Sequence, residues 1–176
     1  MQNAQRTTKP LKSGRKVDQA VLVTGGSGFI GKHIVKHLAE AGETVVCMYH
    51  HRLPEPMANV YPVCSDMGSS ELIAAPLRGV ESVIHLAWEG GFVGPTERVS
   101  WNLNSNNLPK NARLLKNLLS AMERAGTKRI VFMSAIGASR NAKTPFLQEK
   151  YLSEFYSGIR RILIRKRIQF CLITGD

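Results

Sequence analysis

A doubly wound α/β fold, with a parallel sheet of about six strands and helices on both faces, is predicted by two features of this 176-residue chain. Short runs rich in β-branched residues alternate with segments of helical periodicity, as in strands joined by crossover helices. The first run, Val21-Leu22-Val23, leads straight into a glycine-rich turn and a helix-like stretch from Lys32 to Glu40. That order is the strand-turn-helix context in which spaced glycines become informative.

Residues 20–24 form the expected first strand. Ile34, Val35, Leu38 and Ala41 make the apolar stripe of the helix that follows, and Gly42 stops it. Residues 44–48 and 59–63 read as the second and third strands, and 70–77 as a short helix ending near Pro76. Residues 82–86 make the fourth strand. Gly90, Gly91, Gly94 and Pro95 then mark a loop. Residues 107–125 read as a long helix with Leu114, Leu115, Leu118, Leu119 and Met122 inward, closed by Gly126. Residues 129–133 give the fifth strand, 145–166 a helix, and 169–173 a sixth strand.

With 43% hydrophobic residues the chain can bury one good core, so residues 19–176 are expected to be one domain. The net charge of +11 is concentrated in two runs: Arg6, Lys9, Lys12, Arg15 and Lys16, and Arg160, Arg161, Arg165, Lys166 and Arg167. Without those ten, 14 basic residues face 13 acidic ones. Neither run holds the aromatic residues that a nucleic-acid surface would interleave, which argues against that partner. Residues 1–18 read as a disordered basic tail, with an organellar targeting peptide as the weaker alternative. Cys47, Cys64 and Cys171 lack metal or disulfide spacing and sit in or beside apolar segments, so buried thiols in a reducing, cytoplasmic compartment are expected. No apolar run approaches membrane-spanning length.

The turn is Thr24-Gly25-Gly26-Ser27-Gly28-Phe29-Ile30-Gly31. A backbone that must approach a pyrophosphate closely leaves no room for side chains at Gly25 and Gly28, and Gly31 lets the helix pack against the sheet. The unpaired N–H groups at the helix start, with the positive end of its dipole, then face the anion.

Several ordered segments resemble the extended short-chain dehydrogenase/reductases, the NAD-dependent epimerase/dehydratase family, whose domain is of Rossmann type. Residues 24–31 are similar to that family's Thr-Gly-Gly-x-Gly-Phe-Ile-Gly signature. Ser65-Asp66-Met67 resembles the acidic position after the third strand, where the resemblance implies a carboxylate on the adenine amino group. Val83-Ile84-His85-Leu86-Ala87 resembles the fourth-strand motif, which implies that Leu86 and Ala87 lie against the cofactor ribose. Asn111, residues 117–121 and residues 125–132 are similar to its fourth helix and fifth strand. The activity implied is that of an oxidoreductase or a nucleotide-sugar epimerase, dehydratase or reductase. The alternative is a non-catalytic nucleotide-binding or redox-sensing module.

Cofactor choice turns on the end of the second strand, Tyr49-His50-His51-Arg52. NAD selectivity usually places a carboxylate there, whereas a 2′-phosphate calls for cations. No acid is present, and Arg52 with His50 suits a phosphate, so NADP is preferred and NAD stays open; Tyr49 would cover the adenine. The alternative is a solvated basic loop.

The resemblance weakens at the catalytic groups. The family uses a tyrosine and a lysine one helical turn apart, the ammonium lowering the phenol pKa, and a serine after the fifth strand. Matching on Lys150 and Glu154 puts Phe146 at the tyrosine position and Ala135 at the serine, with Ser134 one residue earlier and facing the other way. Lys150 and Ser134 are the remaining catalytic candidates, and Lys150 is also placed to reach the nicotinamide ribose; a solvated helical lysine is the alternative. Tyr151 lies about 100° round the helix from Lys150, and Tyr156 more than a turn beyond. Members of the family normally continue into a smaller carboxyl-terminal substrate domain, which is expected to be absent here. Three readings follow: a fragment, a homo-oligomer whose second subunit supplies the substrate wall, or a protein that only holds a nucleotide. His33 and His37 share a helix face without a third ligand, so no metal is expected. Trp88 and Trp101 flank the glycine loop and would line a pocket or merely pack.

Overall fold

Six parallel strands lie side by side in the order β3-β2-β1-β4-β5-β6 in a computed structural model, which describes residues 19–90, 108–156 and 170–172. The strands are β1 (Ala20–Thr24), β2 (Val45–Tyr49), β3 (Val60–Cys64), β4 (Val80–His85), β5 (Arg129–Phe132) and β6 (Phe170–Leu172). Between them run α1 (Phe29–Glu40), α2 (Ser70–Ala74), α3 (Lys110–Ala125) and α4 (Pro145–Tyr156). The order reverses between β1 and β4, and such a switch point opens a crevice at the carboxyl ends of the strands.

Burial on both faces explains why β1 is apolar without alternation. Leu22 joins one core with Val83, Ile130, Phe132 and the inward faces of α2 and α3, including Ile73, Leu115, Leu118 and Met122. Val23 points the other way, into a smaller core with Val45, Cys47 and Val35 of α1. Successive residues of a strand serve opposite faces, so a strand covered on both sides must be apolar throughout.

The helix ends follow local chemistry. Gly42 is left-handed, with φ 84, after the last turn of α1, and Gly126, with φ 77, ends α3. Its amide donates to the Glu123 carbonyl and that of Thr127 to the Met122 carbonyl. Ser69 caps α2 by accepting from the Glu71 amide at 3.2 Å.

Several expected boundaries move. Helix α3 begins at Lys110 instead of 107 because Pro109 is extended, with ψ 151. Helix α2 stops at Ala74, since Pro76 has no N–H with which to continue it. Strands β2 and β3 each shift one residue along the chain and β4 starts two earlier. The expectation of buried thiols holds for Cys47 but not for Cys64, which is exposed at the end of the edge strand β3. The Cys171 side chain, the basic runs, residues 157–169 and the loop with Gly91, Gly94, Pro95 and Trp101 lie outside the description.

Leu118 is fully buried where α3 meets the sheet. Its replacement by alanine should cost about 2 to 5 kcal/mol in urea unfolding, lowering the midpoint without a change in slope.

Candidate functional site

At the switch point, the turn after β1 and the chain leaving β4 meet backbone to backbone. A Cβ at Gly25, whose φ is 69, would lie 2.8 Å from the Ala87 nitrogen and 2.9 Å from its Cα. At Gly31 it would lie 2.1 Å from the Gly25 carbonyl oxygen, so the first turn of α1 rests directly on the bend. A Cβ at Gly26 would meet Cys47 Sγ at 2.4 Å. Gly28 is less constrained: its amide donates to the Gly25 carbonyl at 3.0 Å, and a Cβ would stand 3.1 Å from that oxygen. The requirement for glycine is thus already internal. The expectation that Gly31 clears the sheet is corrected, because what it clears is the turn; Gly26, read only as part of a signature, proves as tightly enclosed.

Helix α1 starts at Phe29 with no side-chain cap and no acidic residue in its first turn, which instead carries Lys32. Its positive end is therefore left for an external anion, with the amides of the Phe29-Ile30-Gly31 stretch around it. The Phe29 side chain is 80% exposed.

Thr24 ties the two loops together. Its hydroxyl accepts from the Ala87 amide at 3.2 Å and lies 2.7 Å from His85 Nδ1. Burial, and secondarily the Lys150 charge, pushes His85 down to about 3, so it stays neutral at ordinary pH. It also stacks on Phe132 at 5.8 Å. His85 is a structural partner of Thr24 here, and no sequence signal singled out this pairing.

The groups expected around adenine and its ribose gather at the ends of β2 and β3. Asp66 is exposed, one carboxylate oxygen accepting from the Gly68 amide at 2.8 Å. Asn117 of α3 donates to the Met67 and Gly68 carbonyls at 3.0 and 2.8 Å, holding that loop in place. Tyr49 is half-buried; His50, His51 and Arg52 are exposed, the two imidazoles 3.9 Å apart. Leu86 and Ala87 are half-buried beside Gly25.

Across the switch point the picture changes. Lys150 is 6% exposed, so the solvated reading fails. Its ammonium donates to the Met133 carbonyl at 2.8 Å and lies 3.7 Å from the centre of the Trp88 ring, with Phe132 at 5.0 Å and Phe146 at 5.7 Å. Trp88 meets Phe146 edge to face at 5.6 Å. Burial pushes the ammonium down to about 8, opposed by Glu149 and Glu154. Ser134 is buried and donates to Glu154, one helical turn beyond Lys150 on α4. Tyr151 stacks on Phe155 instead of joining the cluster. Asn111, which sequence reasoning matched only to a helix motif, braces this region: it donates to the Glu89 carbonyl at 2.9 Å and to Glu149 at 3.2 Å.

His33 and His37 line a shallow apolar groove on α1 with Phe29, Ile30, Ile34 and Leu38. Among the described residues no group of three or more ligating side chains could hold a metal ion, and no helix is long and apolar enough to cross a membrane.

Two outcomes follow. Gly31→Ala drives a methyl into a backbone carbonyl, and Gly42→Ala, with open space around it, keeps only the φ penalty. The first should lose several times more stability than the second, about 1 kcal/mol, in paired thermal melts. For Lys150, folded and unfolded forms are both protonated below pH 8, where burial of the charge costs most. Between about 8 and the ordinary 10.5 the unfolded chain binds more protons, so stability rises with pH. Measured against Lys150→Met, the wild type should gain roughly 3 kcal/mol across that window; a flat difference would contradict the burial.

Residues 21–157 match the model of the NAD dependent epimerase/dehydratase family. The chain is 34% identical over 158 residues to UDP-glucose 4-epimerase 3 of Oryza sativa subsp. japonica, covering 80% of this chain and 41% of that protein. It is 30% identical over 118 residues to a 3-beta-hydroxysteroid dehydrogenase of Mycolicibacterium neoaurum, covering 65% and 31%. It thus spans less than half the length of these relatives. Among solved structures, MoeE5 in complex with UDP-glucose and NAD superposes with a TM-score of 0.65 at 25% identity, over 88% of this chain and 52% of that one. A family match over most of the chain, with the glycine turn built as described, makes this protein a member of the NAD dependent epimerase/dehydratase family.

Proposed function

We propose that the chain is the dinucleotide-binding domain of an epimerase/dehydratase-type protein. The observation that carries this is the uncapped start of α1, held against Gly25 and Ala87 by contacts that admit no side chain. Phe29, Ile30 and Gly31 would hold the diphosphate by main-chain amides, with Gly25 and Gly28 shaping the turn that admits it. Asp66 and Met67 would meet the adenine, Leu86 and Ala87 the backbone side of the ribose, and Tyr49, His50 and Arg52 the outer adenosine ribose. With no carboxylate at the end of β2 and two exposed basic groups there, NADP(H) is the preferred ligand and NAD(H) the second. The bound nicotinamide would supply hydride chemistry, and the names of the relatives make a nucleotide sugar or another small carbonyl or hydroxyl compound the substrate class. A substrate wall from a second copy is compatible with this reading, as is a cytoplasmic setting, since Cys47 and Cys64 are both free thiols.

The second reading, a non-catalytic nucleotide-binding module, is favoured by one observation. Both remaining catalytic candidates are engaged within the protein, Lys150 with the Met133 carbonyl and Ser134 with Glu154, and Phe146, matched to the tyrosine position, has no phenol to offer.

Titration of the protein with NADPH and with NADH, followed by nucleotide fluorescence, should give saturable binding. His50→Ala with Arg52→Ala should weaken NADPH by about tenfold and NADH by less than about twofold, the loss of a phosphate contact. Flat titrations with both nucleotides would remove the proposal. To separate the readings, Phe146→Tyr with Ala135→Ser is compared with the parent on a nucleotide-sugar panel. Turnover by the double variant alone supports the non-catalytic module, and turnover by the parent supports the enzyme.

A further inference from the structure

The two halves of the sheet differ in what they leave available to a ligand. Fold geometry assigns one mononucleotide of a dinucleotide to β1-β2-β3 and the other to β4-β5-β6, across the switch point. On the first half the polar elements face outward: the start of α1 has no side-chain cap, and Asp66, His50 and Arg52 are exposed. On the second half, the two polar side chains at the ends of β5 and α4 singled out for chemistry are turned inward. Lys150 is capped by the Met133 carbonyl and lies on the Trp88 ring at 3.7 Å, and the Ser134 hydroxyl is bonded to Glu154. Trp88 and Phe146 close edge to face over that lysine at 5.6 Å, and Asn111 pins the chain just beyond Trp88 by accepting from the Glu89 amide at 2.8 Å.

We infer that this domain grips only the adenosine-diphosphate half of its ligand, so that a dinucleotide and the same molecule cut between its diphosphate and its second ribose bind alike. This rests on the reading that the diphosphate docks at the start of α1. The physical reason is an exchange without profit. A ribose hydroxyl reaching the buried Lys150 ammonium would have to part the aromatic pair that covers it, replacing satisfied contacts by similar ones. A phosphate at the uncapped helix start replaces water alone. The ligand class therefore widens to adenosine diphosphate and its ribosylated and 2′-phosphorylated derivatives, with the nicotinamide ring contributing little affinity.

Isothermal titration of the full chain compares NADP+, 2′-phospho-ADP and nicotinamide mononucleotide. The inference expects the first two dissociation constants to agree within about threefold and the mononucleotide to give no measurable heat. NADP+ binding about thirtyfold or more tightly than 2′-phospho-ADP would overturn the inference while leaving the dinucleotide site intact. Measurable binding of the mononucleotide would do the same. If neither adenine ligand binds, the site reading falls and the inference with it.

Discussion

Everything at the switch point depends on how closely two stretches of main chain approach each other. The bend after β1 touches the exit of β4 at Ala87 and the first turn of α1 at Gly31, at distances where even a methyl group has no place. Glycine is required there by the fold itself, before any ligand is considered. The nucleotide cradle is thus a by-product of packing: a strand, a helix and a neighbouring strand end are drawn so tightly together that the helix amides stay open to the outside.

A buried hydrogen-bond chain stabilises that approach. Thr24 joins the Ala87 amide to the His85 ring, and the neutral ring stacks on Phe132, which also borders Lys150. An imidazole kept neutral by burial can pair with the threonine hydroxyl without bringing a second positive charge beside the lysine. The ammonium is accommodated by a carbonyl and an aromatic face instead of solvent, an arrangement that stabilises the cation where full hydration is lost. Trp88 and Phe146 thereby cover the ammonium on that side of the switch point.

Much of this was legible in the sequence. The alternation of apolar runs and helical stripes announced the layered sheet because both faces of β1 are covered, and the left-handed glycines Gly42 and Gly126 marked helix ends correctly. Other features depend on partners distant in sequence. Gly26 is enclosed by Cys47 and Val35, Asn117 holds the loop at Met67, and Asn111 braces Glu89 against Glu149. No local pattern encodes such pairs. Lys150 shows the limit most clearly: the family resemblance singled it out, but only the fold reveals Trp88 beneath its ammonium. Cys64 erred in the opposite direction, since an apolar strand at a sheet edge can still expose its last residue.

The central claim is that a diphosphate rests on main-chain amides at the start of α1. Amide-resolved nuclear magnetic resonance during a titration with adenosine diphosphate tests it most directly. The account predicts the largest shift changes in the amides of residues 27–31, with smaller ones at Ala87 and Asp66. Saturable binding whose shift changes spare residues 27–31 would contradict it.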